Sequence, residues 1–336
     1  METAHSTLII AEVGVNHNGD PALAHELIDV AGDAGADVVK FQTFRPGSIV
    51  SEAAPTASYQ RRATGKSSQR AMLDSLVLAE STWAELAAHC AERNVEFLST
   101  AFDMESLELL IGLGIGRIKI PSGEVNNIRF VRSVAAIGLP LLISTGMSTW
   151  NDVTWAVEQS AAATDRTLLH CVSLYPTPPE LTNLAAMAAM GRRYGLPIGW
   201  SDHTLGNQSA LMATALGATV IEKHITLDRS LQGPDHAASA DPDGFRNYVS
   251  AIRLAEAMMG SPEKRPVAGE IEMATAARRS HHATGALHAG DVLTERDTEL
   301  LRPATGAPAS EELSGRRLIV DVSGGDPVRT EFLEPL

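Results

Sequence analysis

Between residue 7 and about residue 260, eight short apolar runs alternate with longer segments of helical period. This alternation predicts a parallel sheet wrapped by helices, since each parallel connection needs a crossover segment. Eight such repeats favour a closed (β/α)8 TIM barrel. An open doubly wound sheet is the alternative, disfavoured because no glycine-rich dinucleotide fingerprint follows the first run. The predicted strands are Thr7 to Glu12, Asp37 to Gln42, Val95 to Ser99, Arg117 to Ile120, Pro140 to Ser144, Thr167 to Cys171, Pro197 to Ser201 and Thr219 to Glu222.

The segments between these runs place Ala, Leu and Val on one helical stripe, and several end at a glycine. The clearest predicted helices are Ala22 to Ala34, Trp83 to Arg93, Asn127 to Ile137 and Asp152 to Ala163. The stretch from Arg45 to Ser81 interrupts this alternation of strands and helices, because it is long and rich in Ser, Gln and Arg. A loop of this kind over a barrel mouth predicts a lid or a substrate contact.

A chain of 336 residues exceeds one barrel of about 250 residues, so a second, small domain is expected. We predict a barrel domain over 1–260, a linker over 261–275 around the text SPEKRPVAG, and a β-rich domain over 276–336 without long helices. A domain that small buries little apolar area, which predicts docking on a neighbouring subunit.

The composition excludes several classes of partner. A formal charge of −14 disfavours nucleic acid and anionic membranes, which both require a basic face. The apolar runs are too short to cross a bilayer, and the N-terminal text METAHSTLIIAEVG lacks a basic leader with an apolar stretch, so we expect a cytoplasmic protein. Two cysteines make no disulfide framework, in keeping with a reducing compartment.

Polar side chains close or follow the predicted strands, where barrel enzymes carry their catalytic groups. They are Glu12, Lys40, Lys119, Ser144, His170, His203, Glu222 and His224. One strand-end polar residue is more often a cap or turn former, but eight together predict a site.

Two histidines follow the neighbouring seventh and eighth strands, in the texts WSDHT and EKHIT. Paired imidazoles such as His203 and His224, with Asp202, Glu222 and Asp235 nearby in sequence, suit an open site for a divalent ion. Such an ion would polarise a carbonyl oxygen.

Lys40 and Lys119 end apolar runs, which places them at the barrel mouth near serine hydroxyls and the glycines of PSGE and STGM. Ammonium groups beside short hydroxyls and backbone donors favour a phosphate cradle. Lysines that snorkel to the surface and a Schiff-base lysine are the alternatives.

The motif series IIAEVGVNHNG, VVKFQTF, FLSTAFD, IKIPSGE, ISTGM, LHCVSLYPTP, GWSDHTLG, IEKHITLD and GPDHAAS resembles, in order, that of the N-acetylneuraminate (sialic acid) synthase family, which includes legionaminic acid synthases. The tail, from RRS through HAGDVLT and LRPATG to GRRLIVDV, resembles the family's antifreeze-like (SAF) domain. The resemblance implies condensation of phosphoenolpyruvate with an N-acylated amino-sugar aldehyde such as N-acetylmannosamine. The products would be a nine-carbon α-keto acid and phosphate, with the C–O bond broken and a divalent metal required.

The resemblance also implies site residues. Those for phosphoenolpyruvate are Lys40, Thr100, Lys119, Ser122, Ser144, Ser173 and Ser201, and those for the sugar are Glu12, Gln42, Tyr175, Glu222, Asp235 and Arg302. His203 and His224 would ligate the metal, Mn²⁺ before Mg²⁺ or Co²⁺, and the catalytic set would be Glu12, Lys40, Lys119, His203, Glu222 and His224. Arg302 would reach the partner's site in a domain-swapped homodimer.

Some positions depart from the family text. Ser173 stands where asparagine or threonine is common, and Leu301 and Ala304 replace lysine and glycine, which predicts an altered loop around Arg302 because alanine disfavours positive φ. His281 and His282 are interpreted as surface residues. The intact texts SGE (122–124) and GPDH (233–236) favour a neuraminate- or legionaminate-type product over pseudaminate. A Schiff-base aldolase and a non-catalytic sugar-binding protein are the other hypotheses.

Overall fold

The computed structural model of the chain describes residues 7–335 and contains the closed barrel of eight parallel strands that the sequence predicts. Each strand pairs with its neighbour in chain order, and β1 closes the barrel against β8. The strands are β1 (Leu8–Gly14), β2 (Val38–Thr43), β3 (Glu96–Ala101), β4 (Ile118–Ile120), β5 (Leu141–Ser144), β6 (Arg166–Cys171), β7 (Ile198–Asp202) and β8 (Val220–His224).

Helices follow every strand, as the repeat predicts. They are α1 (Pro21–Ala34), α2 (Pro46–Ile49), α3 (Ser58–Thr64), α4 (Gln69–Asp74), α5 (Glu80–Glu92), α6 (Met104–Gly112), α7 (Ile128–Ala136), α8 (Trp150–Gln159), α9 (Ala185–Tyr194), α10 (Gln208–Ala215) and α11 (Pro242–Met259). Helix α1 illustrates the local chemistry, because the Asp20 side chain accepts from the Ala22 amide and Gly35 ends the helix at a φ of 84°.

Along each strand, the side chains point alternately into the barrel and toward the surrounding helices. Successive strand residues point to opposite faces, so alternate positions point into the barrel. The lower interior is filled by Leu8, Ile10, Val38, Leu98, Leu142, Leu169 and Val220. Two positions further along, the same face carries polar groups at the carboxyl ends, for example Glu12 after Ile10 and Lys40 after Val38. The apolar layer therefore forms the floor beneath a polar mouth.

The segment 45–81, predicted as a polar loop, contains the short helices α2, α3 and α4. Its apolar residues form a separate cluster above the barrel, in which Met72 and Leu76 pack with Val15 and Phe44. The segment is therefore anchored over the ends of β1 and β2 and is more ordered than the sequence predicts.

A second compact unit spans Ser261–Leu336 and follows the unit Met1–Gly260. It contains α12 (Ala268–Ala277) and an antiparallel pair, β9 (Ser280–Ala283) with β10 (Thr298–Leu301). Its core is built from small and aliphatic side chains such as Leu293, Leu318 and Val328. Most of α12 falls within the predicted linker 261–275, so the sequence interpretation missed this helix.

The interpretation of His281 and His282 as surface residues is wrong. His282 is buried and contacts the carbonyl oxygens of Pro303 and Gly325, each at 3.2 Å. His281 is half-buried and contacts Thr298 Oγ1 at 3.0 Å. Both imidazoles therefore hydrogen-bond to backbone or hydroxyl groups inside this small unit.

The sequence also predicts the absence of a membrane-spanning helix and of a disulfide framework. Across residues 7–335, no helix is long and apolar enough to cross a membrane. Cys90 and Cys171 are both buried free thiols, as expected for a chain without a disulfide framework.

Candidate active site

The polar mouth of the barrel opens into a cavity of about 520 Å³. Fourteen of the residues predicted for a site lie in its walls, and these come from all eight strand ends. They are Glu12, Lys40, Gln42, Thr100, Lys119, Ser122, Ser144, Ser173, Tyr175, Ser201, His203, Glu222, His224 and Asp235.

Two lysines and two glutamates form a buried charge network at the base of this cavity. Lys40 Nζ lies 2.6 Å from Glu12 Oε2 and 3.5 Å from Glu222 Oε2. Lys119 Nζ lies 3.1 Å from both carboxylate oxygens of Glu222. Ser201 donates to Glu222 Oε1 at 2.8 Å. The carboxylates and ammonium groups compensate each other's burial, and an incoming anion competes with the carboxylates for the ammonium groups.

The surroundings of the two carboxyl groups shift their pKa values in opposite directions. Burial, reinforced by the charge of Glu222, raises the pKa of Glu12 to about 7 although Lys40 opposes the shift. Burial would also raise the pKa of Glu222, but Lys119 and Lys40 outweigh it and hold that pKa below its ordinary value. Glu222 is therefore a permanent carboxylate, whereas Glu12 can hold or release a proton near neutral pH.

Gly146 leaves space for two hydroxyls in the cavity wall. The Gly146 amide donates to Ser122 Oγ at 2.9 Å. A Cβ on Gly146 would lie 2.5 Å from Ser173 Oγ and 2.9 Å from Ser122 Oγ, so only glycine leaves this space open. Ser144 Oγ is buried and has no hydrogen-bond partner within residues 7–335. An unsatisfied hydroxyl in a cavity that is also lined by Lys40 and Lys119 suits the oxygens of a phosphate.

The imidazoles of His203 and His224 share one side of the cavity, with ring centroids 5.6 Å apart. His203 Nδ1 donates to the Val172 carbonyl at 2.8 Å, which leaves Nε2 as the unprotonated nitrogen of the neutral ring. Burial, with His203 and Lys40, holds the pKa of His224 well below its ordinary value, and His224 Nδ1 has no hydrogen-bond partner among the described residues. A neutral, unpartnered imidazole fits a metal ligand.

The donor set for an ion is small. No cluster of three or more His, Cys, Asp or Glu side chains suited to an ion occurs between residues 7 and 335. Two imidazoles alone would leave most positions around an ion to substrate and water.

Two predicted strand-end residues lie outside the cavity because of strand parity. Leu169 and Cys171 point into the barrel, so His170 must point out, where it packs against Trp200 and donates to the Thr182 carbonyl at 2.9 Å. Asp202 likewise points out and lies 3.2 Å from Lys223. The same parity puts Cys171, which the sequence interpretation missed, into the cavity wall, with Sγ 3.8 Å from His203 Nδ1.

Arg302 belongs to the second unit and is exposed there. Its loop is held by Ser280, whose hydroxyl donates to the Pro303 carbonyl at 3.0 Å and accepts from the Gly306 amide at 2.9 Å. Ala304 has no positive φ, so the expected backbone strain from replacing glycine is not found.

Comparisons with known proteins agree with this geometry. Residues 27–264 match the NeuB family. The chain is 42% identical to the N,N'-diacetyllegionaminic acid synthase of Legionella pneumophila, covering 97% of this chain and 94% of the relative. It is 40% identical to the enzyme of the same name from Campylobacter jejuni, covering 92% and 95%. The solved N-acetylneuraminic acid synthetase of Leptospira borgpetersenii superposes with a TM-score of 0.73 at 32% identity, covering 80% of this chain and 90% of that one.

Proposed function

This chain belongs to the NeuB family, and from that premise we propose that it condenses phosphoenolpyruvate with an N-acylated amino-sugar aldehyde. The products are a nine-carbon α-keto acid and inorganic phosphate. The supporting observation is one cavity of about 520 Å³ that combines two buried lysines, several hydroxyls and a pair of imidazoles.

The chemistry requires one carbon–carbon bond to form and one carbon–oxygen bond to break. C3 of phosphoenolpyruvate attacks the aldehyde carbon, and the electron deficiency left at C2 is quenched by water, which adds there. Loss of phosphate from the tetrahedral product gives the ketone, so the bridging oxygen leaves with phosphorus.

Each charged residue of the network has a proposed role in these reaction steps. Lys40 and Lys119 hold the phosphate and carboxylate charges, which persist throughout the reaction. Glu12, with its pKa of about 7, is placed to give a proton to the new hydroxyl of the sugar. Glu222 favours the charged form of both lysines, although burial still lowers the pKa of Lys119 below its ordinary value.

A divalent ion, with Mn²⁺ favoured over Mg²⁺ or Co²⁺, is part of the proposal. His203 and His224 would hold it; both imidazoles line the cavity, and His224 Nδ1 has no hydrogen-bond partner among the described residues, which supports this role. When bound, the ion would supply Lewis-acid polarisation of the aldehyde oxygen.

The second unit, Ser261–Leu336, is proposed to be an antifreeze-like domain that works in a cytoplasmic homodimer. In that arrangement Arg302 would contact the N-acyl group of a sugar bound to the partner's barrel. Its exposure in its own unit leaves the guanidinium free for such a contact.

The acceptor is proposed to be the 2,4-diacetamido-trideoxy sugar that leads to a legionaminate-type acid. Support comes from the names of the two relatives at 42% and 40% identity. Asp235, which belongs to the GPDH text, also lines the cavity.

The test incubates the protein with phosphoenolpyruvate, Mn²⁺ and one sugar at a time, and follows phosphate release. The sugars are N-acetylmannosamine, its 6-phosphate and the 2,4-diacetamido-trideoxy analogue. Release that depends on both substrates supports the proposal, and no release with any sugar contradicts it.

A Schiff-base aldolase would need one free, nucleophilic lysine. Here Lys119 is bound by both oxygens of Glu222 and Lys40 by Glu12, so neither amine is free. Borohydride with pyruvate should therefore trap no covalent adduct.

A further inference from the structure

A buried ion pair lies behind the two imidazoles, on the outer face of the barrel. Strand β7 pairs with β8 up to the register of Asp202 and Lys223, whose side chains point out and lie 3.2 Å apart. We call these two residues the outward ion pair. The neighbouring outward positions in this register, Trp200 and Ile221, are fully buried and apolar. Well-packed apolar residues are often as stable as a buried ion pair, so stability alone does not account for these charges.

The Asp202 carboxylate accepts hydrogen bonds from several parts of the barrel. Its Oδ1 accepts from the Thr204 amide at 2.8 Å and from the Thr204 hydroxyl at 2.7 Å. Its Oδ2 accepts from Ser209 Oγ at 2.9 Å and from Tyr248 Oη at 2.8 Å, in addition to its contact with Lys223. Because Ser209 belongs to α10 and Tyr248 to α11, the carboxylate connects the end of β7 to β8 and to both helices.

The outward ion pair holds Thr204 through its backbone and its side chain. Asp202 binds the amide and the hydroxyl of Thr204, and Lys223 Nζ donates to the Thr204 carbonyl oxygen. His203 lies between Asp202 and Thr204 in the chain, so the residues on both sides of it are fixed. Lys223 directly precedes His224 in β8. The outward ion pair therefore ties the backbone around one imidazole to the strand that carries the other.

The remaining hydrogen bonds of His203 involve the segment after β6. The ring donates to the Val172 carbonyl at 2.8 Å, and the His203 carbonyl accepts from the Thr177 amide at 2.8 Å. Neither bond reaches β8, where His224 lies. Beyond the last paired register of β7 and β8, the spacing of the two imidazoles therefore depends on the outward ion pair.

We propose that Asp202 is a positioning residue that fixes the turn at Thr204, so that the imidazoles of β7 and β8 can bind one divalent ion. This inference rests on the ion in the proposed function and adds the side chain that prepares its ligands. Asp202 points away from the cavity, so it acts through the backbone of His203. Removing a group that orients a metal ligand typically weakens metal affinity about 10- to 100-fold.

The test compares two double variants of the full-length protein, both without a buried charge at these positions. Asp202→Asn with Lys223→Met keeps a side-chain oxygen that can accept from the Thr204 amide, whereas Asp202→Leu with Lys223→Met removes it. Asparagine and leucine branch at the same atom, so the comparison centres on this hydrogen bond. After a chelator has removed metal, Mn²⁺ affinity is measured well below each Tm from the electron paramagnetic resonance signal of free Mn²⁺.

The variant with Asp202→Leu should bind Mn²⁺ at least about tenfold more weakly than the variant with Asp202→Asn. Phosphoenolpyruvate without metal should raise the Tm of both variants equally, since Lys40 and Lys119 lie on other strands. Equal Mn²⁺ affinities in the two variants overturn the inference, and so does an equal loss of affinity for phosphoenolpyruvate and Mn²⁺ with Asp202→Leu.

A control removes an ion pair at the opposite end of the barrel, where Arg117 Nε lies 2.8 Å from Glu96 Oε1. Glu96→Gln with Arg117→Met should leave Mn²⁺ affinity unchanged, and a loss as large as that with Asp202→Leu overturns the inference. Should the variant with Asp202→Leu fail to fold, Thr204→Val replaces it, because it removes the hydroxyl bond to Asp202 and keeps the shape of the side chain. It should weaken Mn²⁺ binding severalfold, and unchanged affinity overturns the inference.

The wild type separates this inference from the proposed function. Mn²⁺ binding by the wild type with no difference between the double variants overturns the role of Asp202 alone. A wild type that binds no Mn²⁺ contradicts the ion of the proposed function and this inference with it. Absence of phosphate release with any sugar contradicts the proposed condensation.

Discussion

Replacing Glu222 by Gln should lower the stability of the folded protein, because it removes one carboxylate of the buried charge network. Glu222 is the carboxylate within ion-pair distance of Lys119 among residues 7–335, and it also lies 3.5 Å from Lys40. In the variant, Lys40 retains Glu12, but Lys119 becomes a buried ammonium without a carboxylate. Removing one partner of a buried pair typically costs about 3–5 kcal/mol.

This loss of stability can be followed specifically in the barrel unit. All four tryptophans lie within Met1–Gly260, so their fluorescence reports unfolding of this unit. For a unit of this size a loss of 3–5 kcal/mol corresponds to a fall in Tm of about 10 °C. The double variant Glu222→Gln with Lys119→Met removes both charges and leaves the Glu12 and Lys40 pair balanced, so most of the stability should return.

An anion should substitute for the missing carboxylate. Phosphoenolpyruvate binds only the folded state and so raises Tm, and it should raise the Tm of Glu222→Gln more than that of the wild type. A Glu222→Gln variant whose free energy of unfolding stays within about 1 kcal/mol of the wild type would contradict this role of Glu222, and so would a larger loss in the double variant.

Three further predictions address other parts of the structure. Gly146→Ala should fold, because the nearby hydroxyls of Ser122 and Ser173 can rotate, yet raise the KM for phosphoenolpyruvate at least about tenfold; an unchanged KM would mean that this space holds no substrate atom. Burial lowers the pKa of His17 to about 4, so its neutral form contributes stability above the ordinary value of 6.5 that is lost as pH falls toward 4. Urea titrations should show the wild type losing about 3 kcal/mol more than His17→Gln across that range, and parallel losses would contradict the shift. Arg302→Ala should raise the KM for the sugar far more than that for phosphoenolpyruvate; equal increases would indicate a structural role.

The barrel could be predicted from sequence because its strands are continuous apolar runs followed by helices of clear period. The inward direction of Glu12, Lys40 and Glu222 follows from counting two residues beyond an interior apolar position. The same count, applied to Leu169, would have excluded His170 and found Cys171. Position at a strand end does not by itself tell whether a side chain points into the barrel; the parity of the position along the strand does.

The burial of Met72 and Leu76 against Val15 and Phe44 could not be predicted from the sequence. Met72 and Leu76 stand in a polar segment, and the six residues of α4 are too few to show a helical period. Their burial depends on tertiary contacts with Val15 and Phe44, which lie on other strands' loops. Helix α12 was missed for a related reason, since Pro266 and Gly269 resemble linker text and Ala268–Ala277 has no buried face within its own unit.

The central claim is that this cavity joins phosphoenolpyruvate to an amino sugar and breaks the C–O bond. The most direct measurement uses phosphoenolpyruvate labelled with ¹⁸O at the bridging oxygen and mass spectrometry of both products. The account predicts that the label leaves in inorganic phosphate. Label retained in the keto acid would mean that the P–O bond breaks, and would contradict the account.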